Sequence, residues 1–463
     1  MSTRWRRLSP ALGALALTVA LATGCGDDGG SGGGADTLDT SLADTAVADT
    51  AVADTAVADT AVADTAVADT EVADTRDVFV ADTTPPTEAE CSPTAQPETL
   101  AGKSWTLRAF DPRCADPTIT NCTLDGVCLK EQKDNLVVVP DAITRPELWI
   151  HLGGSGGKPT NAKNILRAAA YSGYRALGLA YMNEPSVADR CNDPVTGVDY
   201  DVTCSEKTRL EVITGEDVSP WLEIGASDGL ISRLEHALAW LDDRDPSGGW
   251  DAYRDGEGHV RWDRIAMSGF SQGGGNVGLI SRDHPLRRAF FLSKGAGSVK
   301  TLAGDCASDG SCADDGALCC DLSGDPECDE PPASGGKCVH FELAPWVHTG
   351  AGGEGTAADR ATPAARLYGL VNVNETAWTY SPDVFAAWGM DAWGDFISAD
   401  PGGEGPPFSG THQLSSALEP CNGGSFHQSM GADAIQPKIG GCDGQKPAMW
   451  DAWLYMMSHE EAE

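Results

Sequence analysis

Short apolar runs alternate with helical patterns along residues 91–463, and no other feature restricts the fold of this chain as much. Short apolar runs bounded by turn residues are typical of strands buried on both faces. Strand, helix and strand in alternation predict an α/β fold, with a mostly parallel central sheet flanked by helices. The predicted strands are 136–139, 147–152, 175–181, 264–267, 289–292, 366–371 and 412–414, and the predicted helices are 161–171, 230–241, the segment after residue 271, and 448–457.

The first 25 residues have the parts of an export signal. Three arginines before residue 8 form a basic head, and the apolar run over residues 11–22 is too short to span a bilayer as a permanent helix. The sequence Leu-Ala-Thr-Gly-Cys follows and resembles a bacterial lipobox that ends at Cys25. This resemblance implies a lipoprotein signal peptide over residues 1–24 and an exported chain that is lipid-anchored through Cys25 to a bacterial membrane, at the outer membrane or cell surface. An ordinary secretory signal cleaved nearby is the alternative.

Residues 25–90 are predicted to be a disordered, Asp-rich linker. Seven five-residue units run from Ser41 to Thr75, and five of them read AVADT. A period of five matches neither a helix face nor a strand face, so the units offer no continuous apolar surface for burial. The linker has sixteen acidic residues and one basic residue, Arg76, so it repels itself. We expect an extended spacer between the anchor and the globular part.

The charge balance excludes whole classes of partner. The chain has 69 acidic and 32 basic residues, which gives a formal net charge of −37. Such a polyanion is repelled by nucleic acid and gains nothing from an anionic lipid surface, so no nucleic acid partner is expected.

Fifteen cysteines without metal-binding spacing indicate an oxidising compartment. Six of them lie in a stretch rich in Asp, Gly and Pro, which predicts a disulfide-rich insertion over residues 300–345, where a lid or rim would lie. Local pairs such as Cys191–Cys204 and Cys421–Cys442 are expected, but the number of cysteines leaves the full connectivity open.

Four serines match the pattern G-x-S-x-G: Ser31, Ser155, Ser227 and Ser271. The pattern marks a nucleophile where a strand leads directly into the serine and a helix directly follows it. Ser31 lies in the linker, Ser227 has no strand before it, and Ser155 lies in a run too rich in glycine to begin a helix. Ser271 has both neighbours, which predicts a strained turn with an exposed Oγ. A glycine-rich turn with a serine helix cap is the alternative.

Residues 262–275, WDRIAMSGFSQGGG, resemble a bacterial esterase-like subgroup of the α/β-hydrolase superfamily. The similarity covers most of residues 133–460, apart from the cysteine-rich insertion. It implies an α/β-hydrolase fold with Ser271 as the nucleophile and a chain order of serine, then acid, then histidine. This chemistry needs no metal and no organic cofactor.

A second glycine-rich loop supplies the predicted oxyanion hole. Residues 151–157, HLGGSGG, end a predicted strand and resemble an HGGG-type oxyanion loop. The expected donors are backbone N–H groups around Gly154 or Ser155, and that of Gln272, the residue after the nucleophile. A phosphate-binding loop is the alternative, but it lacks the usual ending because Pro159 follows the lysine.

The acid is expected after the predicted strand 366–371. Residues 368–376, YGLVNVNET, resemble the G-x-x-H-x-x-D segment of the subgroup, which places Glu375 at the acid position. Asp383 and Asp391 are the alternative acids.

The base is expected in the loop after the last strand of the sheet. His427 lies in a glycine-rich loop beyond the predicted strand 412–414, and it is therefore the expected base. His412, which opens that strand, is the alternative.

These residues predict a serine hydrolase, in the first place a carboxylic-ester hydrolase for a small-molecule or polymeric ester. Ser271 would attack the carbonyl group, His427 would transfer the proton and Glu375 would orient the imidazole. A lipase or peptidase of the same fold is one alternative. A non-catalytic surface-binding protein on a hydrolase scaffold is the other, and the oligomeric state stays open.

Overall fold

The computed structural model describes residues 85–92, 94–131, 133–191, 201–293, 298–308, 312, 318–320 and 335–459. The predicted signal peptide, Cys25, Ser31, the repeat units and part of the cysteine-rich insertion lie outside the described residues. Within the described ranges, no helix is both long enough and apolar enough to cross a bilayer.

Within the described ranges, ten strands form the central sheet. The strands of the described chain are β1 (Gln96–Leu100), β2 (Lys103–Phe110), β3 (Asn135–Pro140), β4 (Leu148–Leu152), β5 (Arg175–Gly178), β6 (Ile265–Phe270), β7 (Arg288–Leu292), β8 (Ser298–Cys306), β9 (Leu318–Cys320), β10 (Gly336–Leu343), β11 (Leu367–Asn372), β12 (Ile397–Ser398) and β13 (Gln413–Ser416). The order in the central sheet is β1-β2-β3-β5-β4-β6-β7-β11-β13-β12. The pairs from β1 to β5 in this order are antiparallel, and every pair from β5 to β12 is parallel.

Helices cover both faces of this sheet. They are α1 (Lys163–Tyr171), α2 (Val187–Cys191), α3 (Cys204–Thr214), α4 (Leu230–Arg244), α5 (Gln272–Asp283), α6 (Ser381–Ala387) and α7 (Trp450–Ser458). Alternate residues of β4 belong to two separate apolar clusters: Leu148 and Ile150 pack with α4 and α5, whereas Trp149 packs with α1 and α7. Burial on both faces explains why the central strands are continuous apolar runs in the sequence.

The predicted fold class is confirmed, because a mostly parallel sheet with helices on both faces and a strand–turn–helix at Ser271 is an α/β-hydrolase fold. Every predicted strand and helix is present, with small differences at the ends. The strand predicted over 175–181 ends at Gly178, because Ala180 N donates to the side chain of Asn135 at 2.8 Å instead of to a backbone carbonyl of a neighbouring strand.

The insertion after β7 contains a three-stranded antiparallel sheet in the order β8-β10-β9, which its composition does not predict. Cys306, Cys319 and Cys338 are buried against one another, so cysteines occupy the places that apolar side chains usually fill. The structure contains the disulfides Cys91–Cys114, Cys122–Cys128, Cys191–Cys204, Cys306–Cys319, Cys312–Cys338 and Cys421–Cys442, which include both predicted local pairs.

Candidate active site

Ser271 lies in the tight turn between β6 and α5. Its backbone has φ 51° and ψ −118°, a region that residues with a Cβ rarely occupy. Two backbone hydrogen bonds hold this conformation: Ser271 N donates to Leu292 O at 3.0 Å, and Gly275 N donates to Ser271 O at 3.1 Å. The turn therefore has the strained geometry of a nucleophile elbow.

Close backbone contacts explain both glycines of the G-x-S-x-G pattern. A Cβ at Gly269 would lie 2.2 Å from Gly273 O, and a Cβ at Gly273 would lie 2.3 Å from Leu152 O. Side chains cannot be accommodated at such distances without a shift of the backbone. The second contact packs the first turn of α5 against the end of β4, where the glycine-rich loop of residues 153–157 begins.

Ser271, His427 and Glu375 form a continuous hydrogen-bonded chain. Ser271 Oγ lies 2.7 Å from His427 Nε2, and His427 Nδ1 lies 2.5 Å from Glu375 Oε2. The three residues follow β6, β13 and β11, three parallel strands of one sheet. Because the carboxyl ends of parallel strands meet at one edge, residues far apart in the chain come together there.

The surroundings of His427 and Glu375 determine which nitrogen of the imidazole carries the proton. The Glu375 side chain is fully buried and the His427 side chain is 11% exposed. Glu375 Oε1 accepts a hydrogen bond from Asn372 N at 3.0 Å, and its Oε2 faces the imidazole. An ionised carboxylate can only accept, so His427 Nδ1 donates and Nε2 presents its lone pair to Ser271. The arrangement thus provides a base for the serine proton.

The loop of residues 153–157 passes directly beside the elbow. A Cβ at Gly154 would lie 3.1 Å from Ser271 Cβ, so the backbone of Gly154 is adjacent to the serine. Ser155 Oγ donates to Gln272 Oε1 at 2.9 Å, which ties the loop to the first residue of α5. The N–H of Gln272 is among the first of its helix, where no carbonyl of the same helix is available. The three predicted donor residues therefore surround the nucleophile.

Three polar residues behind this loop are absent from the sequence prediction. Tyr181 and Asn183 hydrogen-bond to the loop, and Lys133 hydrogen-bonds to Asn183. Tyr181 and Asn183 follow β5, the neighbour of β4, so their position at the carboxyl ends of adjacent parallel strands is a signal that could have identified them. No pattern in the sequence indicates Lys133.

The alternative base, His412, lies elsewhere. It is fully buried and stacks on Tyr368 and Trp393, with ring centroids 4.0 and 4.8 Å away. It precedes β13 and is therefore at the amino end of that strand, whereas Ser271 follows the carboxyl end of a parallel strand. The structure places His412 in the core and brings His427 to the serine instead.

The alternative acids and Ser227 are also placed away from this chain of hydrogen bonds. Asp383 is exposed on α6, Asp391 is exposed in the turn that follows it, and the carboxylate beside His427 is Glu375. Ser227 lies in a helical turn before α4, where its Oγ donates to a backbone carbonyl of residue 118 at 3.1 Å.

The chain is similar to solved structures at low sequence identity. No protein-family model and no curated protein matches the chain. One similar structure, described as an acetyl xylan esterase from Bacteroides fragilis, has 16% identity over 45% of this chain and 49% of that chain, with a TM-score of 0.21. Another, described as a dienelactone hydrolase from Klebsiella pneumoniae, has 15% identity over 61% and 82%, with a TM-score of 0.25.

A third similar structure is an S-formylglutathione hydrolase from Agrobacterium tumefaciens, with 14% identity over 43% of this chain and 60% of that chain and a TM-score of 0.23. The chain thus spans about half the length of the first of these proteins and less than two thirds of the third. The strand order, the elbow at Ser271 and the residues gathered at the strand ends give this chain an α/β-hydrolase fold.

Proposed function

We propose that the protein is a serine hydrolase that cleaves carboxylic esters. The observation that carries the proposal is the hydrogen-bonded chain from Ser271 Oγ through His427 to Glu375, with distances of 2.7 and 2.5 Å. A serine hydroxyl is a weak nucleophile unless an adjacent base accepts its proton. The resemblance of the elbow sequence to an esterase-like subgroup favours ester substrates over peptides.

In the acylation step, Ser271 Oγ attacks the ester carbonyl carbon while its proton moves to His427 Nε2. The Glu375 carboxylate stabilises the imidazolium through Nδ1. The carbonyl oxygen becomes an oxyanion, which accepts hydrogen bonds from the N–H of Gln272 and from the loop at Gly154. Each such donor lowers the barrier by about 3 kcal/mol. The intermediate then collapses as His427 gives its proton to the departing alkoxide.

Deacylation repeats these transfers with water as the nucleophile. His427 takes a proton from the water molecule as its oxygen attacks the acyl–serine carbonyl. The second tetrahedral intermediate breaks the bond to Ser271 Oγ, which recovers its proton from His427. The products are a carboxylic acid and an alcohol.

A fluorophosphonate probe together with a p-nitrophenyl ester assay tests this proposal, because both report on Ser271 Oγ. We expect the parent protein to be labelled and to hydrolyse the ester. Ser271→Ala should abolish labelling and lower kcat/KM by a factor on the order of 10³ or more. The matched control is Ser227→Ala, which removes another G-x-S-x-G serine and should preserve both readouts.

An unlabelled parent, or equal labelling of Ser271→Ala, would contradict the enzyme proposal and favour the surface-binding alternative. A panel of esters with increasing acyl chain length, together with peptide substrates, separates an esterase from a lipase and a peptidase. Preference for short acyl chains supports the esterase.

We also propose that the chain is exported and lipid-anchored at Cys25. The lipobox-like sequence supports this, as does the cysteine count, because removal of Cys25 from fifteen leaves an even number that can pair completely. In a bacterial host, an alkynyl fatty-acid label should enter the full chain, and Cys25→Ser should lose the label and leave the membrane fraction. Equal labelling of Cys25→Ser would exclude this residue as the anchor.

A further inference from the structure

We propose that Tyr181, Asn183 and Lys133 are positioning residues that orient the N–H donors of the oxyanion loop from the side opposite the substrate. This inference rests on the proposed function. None of the three contacts the reacting atoms, and each acts through the backbone of residues 153–157 or through its neighbour. Their hydrogen bonds connect the ends of two adjacent parallel strands, β4 and β5.

Two carbonyl groups of the loop are held from behind. Tyr181 OH donates to Gly153 O at 2.7 Å, and Asn183 Nδ2 donates to Gly154 O at 2.6 Å. The C=O and N–H bonds of a planar trans peptide point in opposite directions. A donor that fixes Gly153 O therefore fixes the direction of Gly154 N–H, and a donor that fixes Gly154 O fixes that of Ser155 N–H. Both N–H groups face away from Tyr181 and Asn183.

Asn183 is joined to the loop at more than one peptide. Its Nδ2 also donates to Gly157 O at 2.9 Å, and its backbone carbonyl oxygen accepts from Gly156 N at 3.4 Å. Its side chain is buried, with the residue only 1% exposed. Because both protons of the amide group have carbonyl partners in one loop, the side chain holds that loop in a single conformation.

Lys133 determines how the Asn183 amide is oriented. An ammonium group can only donate, so Asn183 Oδ1 must face Lys133 and Nδ2 must face the carbonyls. The distance from Lys133 Nζ to Asn183 Oδ1 is 2.5 Å, and that to Glu184 Oε2 is 3.0 Å. A positive charge at Oδ1 polarises the amide and strengthens its N–H donors, and this effect continues through the peptide to Ser155 N–H.

The cost of this arrangement argues against a purely space-filling role. Lys133 and Asn183 are each 1% exposed, and buried polar groups cost free energy that apolar side chains of similar size would not. Burial lowers the pKa of Lys133, and the Glu184 carboxylate opposes that shift. The hydrogen bonds of the Asn183 side chain go to Lys133 and to this one loop.

Asn183→Asp is the most informative change. Aspartate keeps the size of the side chain and its contact with Lys133, but it cannot donate to Gly154 O or Gly157 O. We expect kcat to fall about 10- to 100-fold with KM within about threefold of the parent, because misaligned oxyanion donors act in the transition state. The affinity for a trifluoromethyl ketone, whose serine adduct carries an oxyanion, should fall by the same factor.

Tyr181→Phe independently tests the peptide between Gly153 and Gly154, because it removes the hydroxyl that donates to Gly153 O without changing the ring. We expect about a 10-fold lower kcat with an unchanged KM. This variant decides the question if Asn183→Asp fails to fold. Lys133→Met should also lower kcat, because it removes the donor that keeps Asn183 Oδ1 turned away from the loop.

The matched control is Asn121→Asp. Asn121 is also buried, and its Oδ1 also accepts from a buried cation, Arg233 Nη2, at 2.9 Å. Its backbone N–H, however, donates to Asp228, which precedes α4 and lies outside the oxyanion loop. We expect kcat and inhibitor affinity to stay at the parent values. Unchanged kcat and inhibitor affinity in Asn183→Asp and Tyr181→Phe, or equal losses in Asn121→Asp, would overturn the inference. A parent that fluorophosphonate does not label would overturn the proposed function, and this inference with it.

Discussion

The positions of two histidines relative to β13 determine which of them can reach Ser271. His412 and His427 flank β13, one before its first residue and one after its last. In a parallel sheet the residues that follow a strand reach the edge where Ser271 lies. The choice of His427 as the expected base therefore depends on the position of the strand, which the apolar run makes predictable, and not on any property of the histidines themselves.

The acid was harder to predict for a physical reason. Glu375, Asp383 and Asp391 all follow β11, so the edge rule admits each of them. What separates them is the turn after the strand, in which Glu375 Oε1 accepts from Asn372 N. Turn geometry of this kind is not encoded in apolar periodicity, and the sequence supplied only a resemblance to decide it.

Stability against acid should depend on His151. This residue is fully buried at the end of β4, where Nδ1 lies 2.9 Å from Ser268 Oγ, and burial lowers its pKa from 6.5 to about 3. Between these values the unfolded chain takes up a proton that the folded protein does not. The stabilising contribution is therefore fully present above pH 6.5 and is lost progressively as the pH falls towards 3.

We expect His151→Asn to reduce this pH dependence, because asparagine does not titrate. From pH 7 to pH 4.5, the unfolding free energy of the parent should fall by about 2–3 kcal/mol more than that of the variant, as measured by urea unfolding. His236→Asn, which removes an exposed histidine, is the control. Equal pH slopes for parent and His151→Asn would show that His151 does not carry the effect.

At the scale of elements, the turn from β6 into α5 is constrained by backbone contacts. Gly273 lies in the first turn of α5, where helix propensity alone would favour alanine by about 1 kcal/mol. A Cβ there would lie 2.3 Å from Leu152 O and 2.5 Å from Gly153 O, both backbone atoms that cannot rotate away. The free-energy cost of this steric overlap in Gly273→Ala should therefore exceed the gain in helix propensity.

We expect Gly273→Ala to lower the unfolding free energy by about 2 kcal/mol, measured by urea or thermal unfolding. The displaced loop should also lower the ester hydrolysis that we propose for this chain. Gly256→Ala is the matched control, because no atom lies within 4 Å of its added Cβ. Gly273→Ala as stable as the parent would mean that the loop moves aside at little cost.

The elements that sequence predicts well are those whose faces are both buried. β4, β6 and β7 are continuous apolar runs and were predicted within a few residues. The hairpin of β1 and β2 was not predicted, because β1 is largely exposed and lacks an apolar pattern. β9 was missed for another reason, since two of its three residues are the buried cysteines Cys319 and Cys320.

At the scale of the whole molecule, disulfides close local segments of the described chain. Cys421–Cys442 spans 21 residues and encloses the loop that carries His427, and Cys191–Cys204 spans 13 residues. Isolated neighbours of this kind could be paired from spacing alone. The cysteines of the insertion could not be paired in this way, because Cys306–Cys319 and Cys312–Cys338 interleave and six cysteines allow many pairings.

The order of strands in the sheet has a consequence for how such a molecule can evolve. β7 and β11 are parallel neighbours, with Leu292 opposite Leu370, so the chain leaves the sheet at the carboxyl end of β7 and rejoins it at the amino end of the next strand, with residues 293–366 between. The entropy of closing a loop rises only slowly with its length. Selection can therefore lengthen, shorten or exchange the part of this segment that contains β8, β9 and β10. Trp346 and Arg360, which pack in the core and bond to α5, stay in place, and the sheet keeps Ser271 and Glu375 in register.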